Sequence, residues 1–275
     1  MAFPSGNVII ITGASEGIGR ALALALSPYT PNLALAARNT ERLKEVAHEC
    51  QKAGAQTLVV PTDVTHTEDC RRLIEETVAQ FGRVDVLINN AGGTMWTTLE
   101  EVQDLSIFEK LMQVNYLGSV YCTKFALPYL KHTKGQIVAL SSIAGLTGVP
   151  TRTGYAASKF AMIGFFESLR IELDGTGVGV TIIAPDFVQS KIHERALGKN
   201  GQPVGFNRLE GKNILSAEFC AALIVKAMET RQRLVITSWR GRVGRWAKLF
   251  APRLIDRITK QAMQEIPNKN SLFVF

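Results

Sequence analysis

Short apolar runs alternate along the chain with longer stretches in which apolar residues recur every three or four positions. The runs fall at residues 7–12 (NVIIIT), 32–37 (NLALAA), 57–61 (TLVVP), 84–90 (VDVLINN), 137–142 (IVALSS), 178–185 (VGVTIIAP) and 234–237 (LVIT). They are nearly continuous rather than alternating, which predicts strands buried on both faces. The helical period between them predicts helices over about 17–26, 40–53, 67–81, 106–130 and 153–173. Repeated strand–helix–strand units of this kind imply a parallel sheet covered on both sides. Right-handed crossovers then give an α/β, Rossmann-type doubly wound fold of about seven strands, with ligands expected at the strands' carboxyl ends. One domain is expected over 1–238. Within it, about 187–215 has few periodic apolar residues and several glycines, so it is a candidate lid. Residues 239–275 form an extension.

Composition narrows the class without changing the fold. The 275 residues are 46% hydrophobic and 20% charged, as in an ordinary globular protein. No run reaches the roughly 18–20 uncharged apolar residues of a membrane span, and no basic-flanked leader precedes Val8, so a cytoplasmic location is expected. Cys50, Cys70, Cys122 and Cys220 are scattered, as are the four histidines, so neither disulfides nor a metal site is expected. The net charge of +7 sits in one place. Nine Lys and Arg residues lie between Arg231 and Lys260, opposed only by Asp256. The body is therefore near neutral, which argues against nucleic acid as its partner. Within 240–262 the apolar residues Val243, Trp246, Leu249, Phe250, Leu254, Ile255 and Ile258 recur at mostly three- and four-residue intervals among these bases. Such a helix fits peripheral contact with a membrane surface or packing on the protein, and both readings stay open.

Three stretches carry chemistry. After the first strand comes Thr12-Gly13-Ala14-Ser15-Glu16-Gly17-Ile18-Gly19. Glycines in such a turn let backbone approach a pyrophosphate seated at the positive N-terminus of the following helix. The second strand ends in Ala37-Arg38-Asn39, without the carboxylate that would hold a ribose hydroxyl and repel a 2′-phosphate. Arg38 offers a planar cation there, so NADP(H) is the expected cofactor. Tyr155 and Lys159 stand four apart on a predicted helix and so share a face, where an ammonium favours the phenolate. Ser142 closes the strand before them and can bond the same substrate oxygen.

These motifs, in order, resemble the short-chain dehydrogenase/reductase family over residues 7 to about 238: T-G-x-x-x-G-x-G (Thr12–Gly19), N-N-A-G (Asn89–Gly92), Asn115 in VNYLG, Ser142, and Y-x-x-x-K (Tyr155, Lys159). The resemblance implies an oxidoreductase moving a hydride between nicotinamide and a carbonyl or alcohol carbon. It implies Tyr155 as acid or base, Lys159 tuning it and holding the ribose, Ser142 orienting the carbonyl, and Asn115 fixing a relay water. It implies further cofactor contacts at Gly13, Ser15, Glu16, Gly17, Ile18, Gly19, Asn39, Asp63, Val64, Asn90, Ala91, Gly92, Pro185, Val188 and Ser190. Glu16 stands where some NADP enzymes carry a base, and Asp186 stands where the family usually has glycine. ALPYLKHTKGQIVALSSIAGL and YAASKFAMIGFFESLRIEL are most similar to the hydroxysteroid-dehydrogenase-like and 3-ketosphinganine-reductase-like group. Ser142, Trp96 and Phe187 are candidate substrate contacts. No arginine pair in the sequence points to an anionic substrate, and a hydrophobic, lipid-, steroid- or sphingoid-like ketone or alcohol is expected. A homodimer or homotetramer through the two long helices is implied. The competing class is a non-catalytic NADP-binding regulator or membrane-associated scaffold on the same fold.

Overall fold

The computed structural model describes residues 5–209 and 214–264. The ends of the expected domain and extension, 1–4 and 265–275, and residues 210–213 of the expected lid lie outside them. Seven parallel strands are β1 (Val8–Thr12), β2 (Asn32–Ala37), β3 (Gln56–Pro61), β4 (Val86–Asn89), β5 (Gln136–Leu140), β6 (Gly179–Ala184) and β7 (Leu234–Ile236). Their order is β3-β2-β1-β4-β5-β6-β7. The order reverses between β1 and β4, and there the carboxyl ends of adjacent strands leave a crevice.

Side chains of a strand point alternately to its two faces, and both faces are buried here. Ile9, Ile11, Leu33, Leu35 and Ile88 enter one core, covered by helices α1 (Gly17–Leu26) and α2 (Thr40–Lys52). Ile10, Ala34, Leu87, Ile137 and Ala139 enter the other, covered by α3 (Thr67–Phe81), α5 (Gly118–Thr133) and α6 (Thr153–Glu172). Burying each such Ile or Leu contributes about 1.5–3 kcal/mol, which is why the apolar runs become central strands.

The expected helix over about 106–130 is interrupted. It comprises α4 (Ser106–Leu111), a π-helical turn over Met112–Leu117, and α5. The wide turn carries Asn115, whose fully buried amide is bonded to the backbone after β4. Beyond it Gly118 lets the helix approach the loop after β3, since a Cβ there would lie 2.8 Å from Val64. Helix α7 (Ala217–Glu229) joins the core against α1. Sequence reasoning passed over it, although Ser216 caps it and buried Ala217, Cys220, Ala221, Ile224 and Met228 follow the helical period. Helices α8 (Trp239–Phe250) and α9 (Pro252–Gln264) form the basic extension, divided at Pro252. Among the described residues no helix is long and apolar enough to cross a membrane.

Candidate active site

The carboxyl ends of β1, β4, β5 and β6 open into one cavity of about 580 Å³. Its floor is the turn between β1 and α1. Gly13 and Gly17 adopt left-handed φ of 67° and 53°, which favours glycine. At Gly19 a Cβ would lie 2.2 Å from the Gly13 carbonyl oxygen, so the turn closes only without a side chain there. Asn90 braces it, donating from Nδ2 to the carbonyls of Thr12 (2.8 Å) and Gly13 (3.1 Å). The Thr12 hydroxyl in turn accepts from the amides of Asn90 and Ala91, both at 3.0 Å. No side chain caps the N-terminus of α1. Free amides at the positive end of a helix, reached by a side-chain-free turn, make a cradle that suits a dinucleotide pyrophosphate.

Sequence-predicted cofactor residues divide in two. Gly13, Glu16, Gly17, Ile18, Asn90, Ala91, Gly92, Tyr155, Lys159, Pro185, Val188 and Ser190 line the cavity. Ser15, Gly19, Arg38, Asn39, Asp63 and Val64 do not. Asn39 caps α2 by accepting from the Arg42 amide at 2.9 Å. Val64 is buried against Gly118. Burial alone would raise the Asp63 pKa, but two hydrogen bonds from Thr65 and the Arg38 charge hold it below the ordinary value. Arg38 is exposed at the end of β2. Glu16 does not face the cavity unpaired: Arg42 reaches it at 2.9 Å and Arg195 from the lid segment pairs with its other oxygen.

Tyr155 and Lys159 emerge from the first turns of α6 into the cavity. The Lys159 Nζ lies 5.9 Å from the Tyr155 ring centre and donates to the Leu140 carbonyl at 2.8 Å. Burial pulls Lys159 down to about 7. Burial also raises Tyr155 above its ordinary value, opposed by a hydrogen bond with Ser142 and by the charge of Arg152. The cation acting on the phenol in this structure is thus Arg152, and not the lysine that sequence spacing singled out. Ser142 holds its place because its hydroxyl also accepts from the Ala144 amide at 3.1 Å, capping a short turn. Asn115 lies behind the cavity wall. Its Oδ1 accepts from the Gly93 amide (2.8 Å) and its Nδ2 donates to the Gly93 carbonyl (3.0 Å) and the Ser158 hydroxyl (2.8 Å).

On the substrate side, Phe187 lines the cavity, whereas Trp96 is buried in a cluster with Ala196 and Leu209. Between them stands Arg152, which sequence reasoning missed. Its guanidinium lies 3.8 Å from the Trp96 ring centre and 5.2 Å from that of Phe187. Arg208 stands 5.4 Å from the same Trp96 ring. The only signal in the sequence was a basic residue three before Tyr155, at the position that precedes α6.

The extension closes the cavity from above. Val243 of α8 and Ile255, Ile258, Ala262 and Met263 of α9 line it. Helix α8 is seated by Gly241, where a Cβ would lie 2.7 Å from Ile236, and by Lys248 donating to the Leu146 carbonyl at 3.2 Å. Asp186 receives Arg240 of α8 at 3.9 Å and accepts from the Phe187 amide at 2.9 Å. The residue that departs from the usual glycine therefore helps fasten the roof. Packing on the protein is accordingly one contact the basic tail makes. Its other face leaves Trp246, Leu249 and Phe250 exposed.

The span that holds the glycine cradle, Ser142 and the tyrosine–lysine pair also resembles known proteins. The short chain dehydrogenase family model matches residues 7–200, and the chain belongs to that family. Within it, the chain falls with the hydroxysteroid-dehydrogenase-like group. It is 38% identical to 11-beta-hydroxysteroid dehydrogenase A of Sesamum indicum, over 92% of this chain and 74% of that one. It is also 38% identical to 11-beta-hydroxysteroid dehydrogenase-like 4A of Arabidopsis thaliana, over 91% and 83%. A short chain dehydrogenase/reductase of Burkholderia phymatum in complex with NAD superposes with a TM-score of 0.81 at 26% identity, covering 92% of this chain and 96% of that one. An alcohol dehydrogenase of the archaeon Thermococcus sibiricus, complexed with 5-hydroxy-NADP, superposes at 0.72 with 28% identity, covering 84% and 96%. The protein is a short-chain oxidoreductase with a nicotinamide-nucleotide fold.

Proposed function

We propose that the protein is an NADP(H)-dependent oxidoreductase acting on a carbonyl or alcohol of a hydrophobic substrate. The observation that carries this reading is the convergence of Ser142, Tyr155 and Lys159 on the cavity whose floor is the glycine cradle. When bound, the nicotinamide supplies or accepts the hydride. Tyr155, kept protonated at neutral pH by burial, is poised to donate its proton to a carbonyl oxygen, and the Ser142 hydroxyl orients the same oxygen. The Lys159 Nζ stands 5.9 Å from the Tyr155 ring centre and 3.6 Å from where a Gly92 side chain would begin. Asn115 keeps the Gly92–Gly93 turn in place through the Gly93 backbone. The apolar walls from Leu146 and Val149 to Ile255 and Ile258 support a lipid-, steroid- or sphingoid-like substrate.

Preference for NADP rests on the exposed Arg38 at the end of β2, a strand that itself ends without a carboxylate. An NADPH-oxidation screen against ketosteroids, a ketosphingoid base, retinal and small ketones tests the activity. Tyr155→Phe should lower turnover on the order of 10²–10⁴-fold with NADPH binding retained. No turnover of any ketone by the wild type would instead favour a nucleotide-binding regulator.

The exposed aromatic and apolar face of α8 and α9, set among Arg245, Arg253 and Arg257, supports peripheral contact with a membrane surface. Flotation with anionic liposomes, with and without residues 240–275, checks it; equal recovery in the lipid-free fraction rejects it. Exposed Phe160 and Ile171 on α6 support a homodimer or homotetramer, to be measured by light scattering.

A further inference from the structure

We infer that Arg152 is the anion-binding anchor of the substrate pocket, taking a carboxylate carried by the substrate a few bonds from its reacting carbon. This rests on the oxidoreductase reading above and specifies its substrate as an amphiphilic oxo or hydroxy acid.

Arg152 is 4% exposed, yet among the described residues no carboxylate pairs with it. Its one hydrogen bond goes from Nη1 to the Thr94 hydroxyl, at 3.1 Å. Nε and Nη2 are buried with no partner. These two nitrogens form the side-on fork of the guanidinium, whose parallel N–H bonds match the two oxygens of a carboxylate. Trp96 and Phe187 stabilise the cation through their ring faces but accept nothing from N–H groups that point within its plane. A buried charge left in this condition is expensive in a finished structure, and it becomes favourable when a partner arrives.

The surroundings repeat the pattern. The Trp96 indole N–H and the Arg208 Nε are also buried donors without acceptors. The His193 Nε2 lies 3.1 Å from the Val188 carbonyl, which makes it the protonated nitrogen. Burial and the Arg152 charge pull His193 down to about 4, so the ring is neutral and adds no second cation. Arg208 has Glu101 in its field; Arg152 has none. Among these side chains the unpartnered donors are Trp96 Nε1, Arg152 Nε and Nη2 and Arg208 Nε, against the single unpartnered acceptor His193 Nδ1, a balance that suits an anion.

Position fixes the class of ligand further. The Arg152 guanidinium lies 5.7 Å from the Tyr155 ring centre, and both border the cavity with Phe187 and His193. The fork meets no open space in this structure, so a carboxylate arriving through the cavity must part the wall that Arg152 shares with Phe187 to reach it. A substrate anchored there presents its carbonyl to Tyr155 and sends an apolar chain towards Val243, Ile255 and Ile258.

Calorimetric titration of the full chain, with and without NADPH, with dodecanoate, dodecyl sulfate and methyl dodecanoate tests the anchor. The wild type should bind dodecanoate at least about tenfold more tightly than the ester, and Arg152→Met should abolish that preference while Arg208→Met only weakens it. Equal affinity of acid and ester for the wild type overturns the proposal and needs no variant. So does a preference that survives Arg152→Met, and so does a preference for dodecyl sulfate above dodecanoate, which would mark a general anion site. Because binding requires no turnover, acid preference without reduction of any ketone would remove the oxidoreductase reading alone. Reduction of neutral ketones with no acid preference would remove the anchor alone.

Discussion

The two sides of the cavity are built in opposite ways. Around the turn between β1 and α1, polar side chains are matched within the protein: Asn90 to Thr12 and Gly13, Thr12 to the Asn90 and Ala91 amides, Asn115 to Gly93 and Ser158. Around Arg152, the Trp96 indole N–H, the Arg152 Nε and Nη2 and the Arg208 Nε have no acceptor among the described residues. A saturated network holds backbone in one shape, which is what a rigid cradle for a nucleotide requires. Unsatisfied buried donors lower stability, and they are retained where a ligand completes them. The contrast separates the part of the site that is finished by folding from the part that is finished by substrate.

Four substitutions would break or sharpen that contrast. Lys159→Met should have the largest effect, lowering carbonyl reduction at least about a hundredfold while raising stability. Burial holds the Lys159 pKa at about 7 against 10.5 in the unfolded chain. As pH falls between those values the unfolded chain takes up a proton that the folded chain refuses, so the wild type loses stability relative to the variant. The gain in Tm should be small near pH 10.5 and greatest at or below about pH 7; a pH-independent difference would contradict the buried charge.

Gly19→Ala attacks the finished side. With its Cβ 2.2 Å from the Gly13 carbonyl and 2.6 Å from the Asn90 amide nitrogen, it should cost about 1–3 kcal/mol in denaturant unfolding and weaken NADPH binding. Arg38→Asp should leave Tm nearly unchanged and move the NADPH-to-NADH ratio of kcat/KM towards NADH by roughly tenfold or more, the scale of a charge-assisted hydrogen bond. An unchanged ratio would sink the assignment to NADP. Asp186→Gly has the smallest expected effect, under about 1 kcal/mol, because Arg240 is largely exposed. Hydrogen exchange should nonetheless quicken in 240–263 if this contact fastens the roof.

Much of the site was legible because it obeys local rules. Glycines at tight turns, four-residue spacing on a helix and apolar runs bounded by turns are each readable within a few residues. Interruption of the helix at Asn115 was not, because the π-turn answers to the Gly93 backbone, twenty-two residues earlier. Gly19 and Val64 are motif positions that tertiary packing keeps out of the cavity, shaping it from behind. Asn39 and Asp63 serve first as backbone caps.

By itself, the sequence determined the strands, their parallel arrangement, the glycine turn after β1 and the placing of Tyr155 and Lys159 on one helix, since period and spacing express the geometry of single elements. Tertiary structure alone decided that the basic extension folds back to roof the cavity, that Asp186 meets Arg240, and that Arg152 lies between Trp96 and Phe187. Those contacts join the loops after β4 and β6, the residue before α6, and the tail. Whether a buried charge finds a partner depends on what the other elements bring to it, and no local pattern records that.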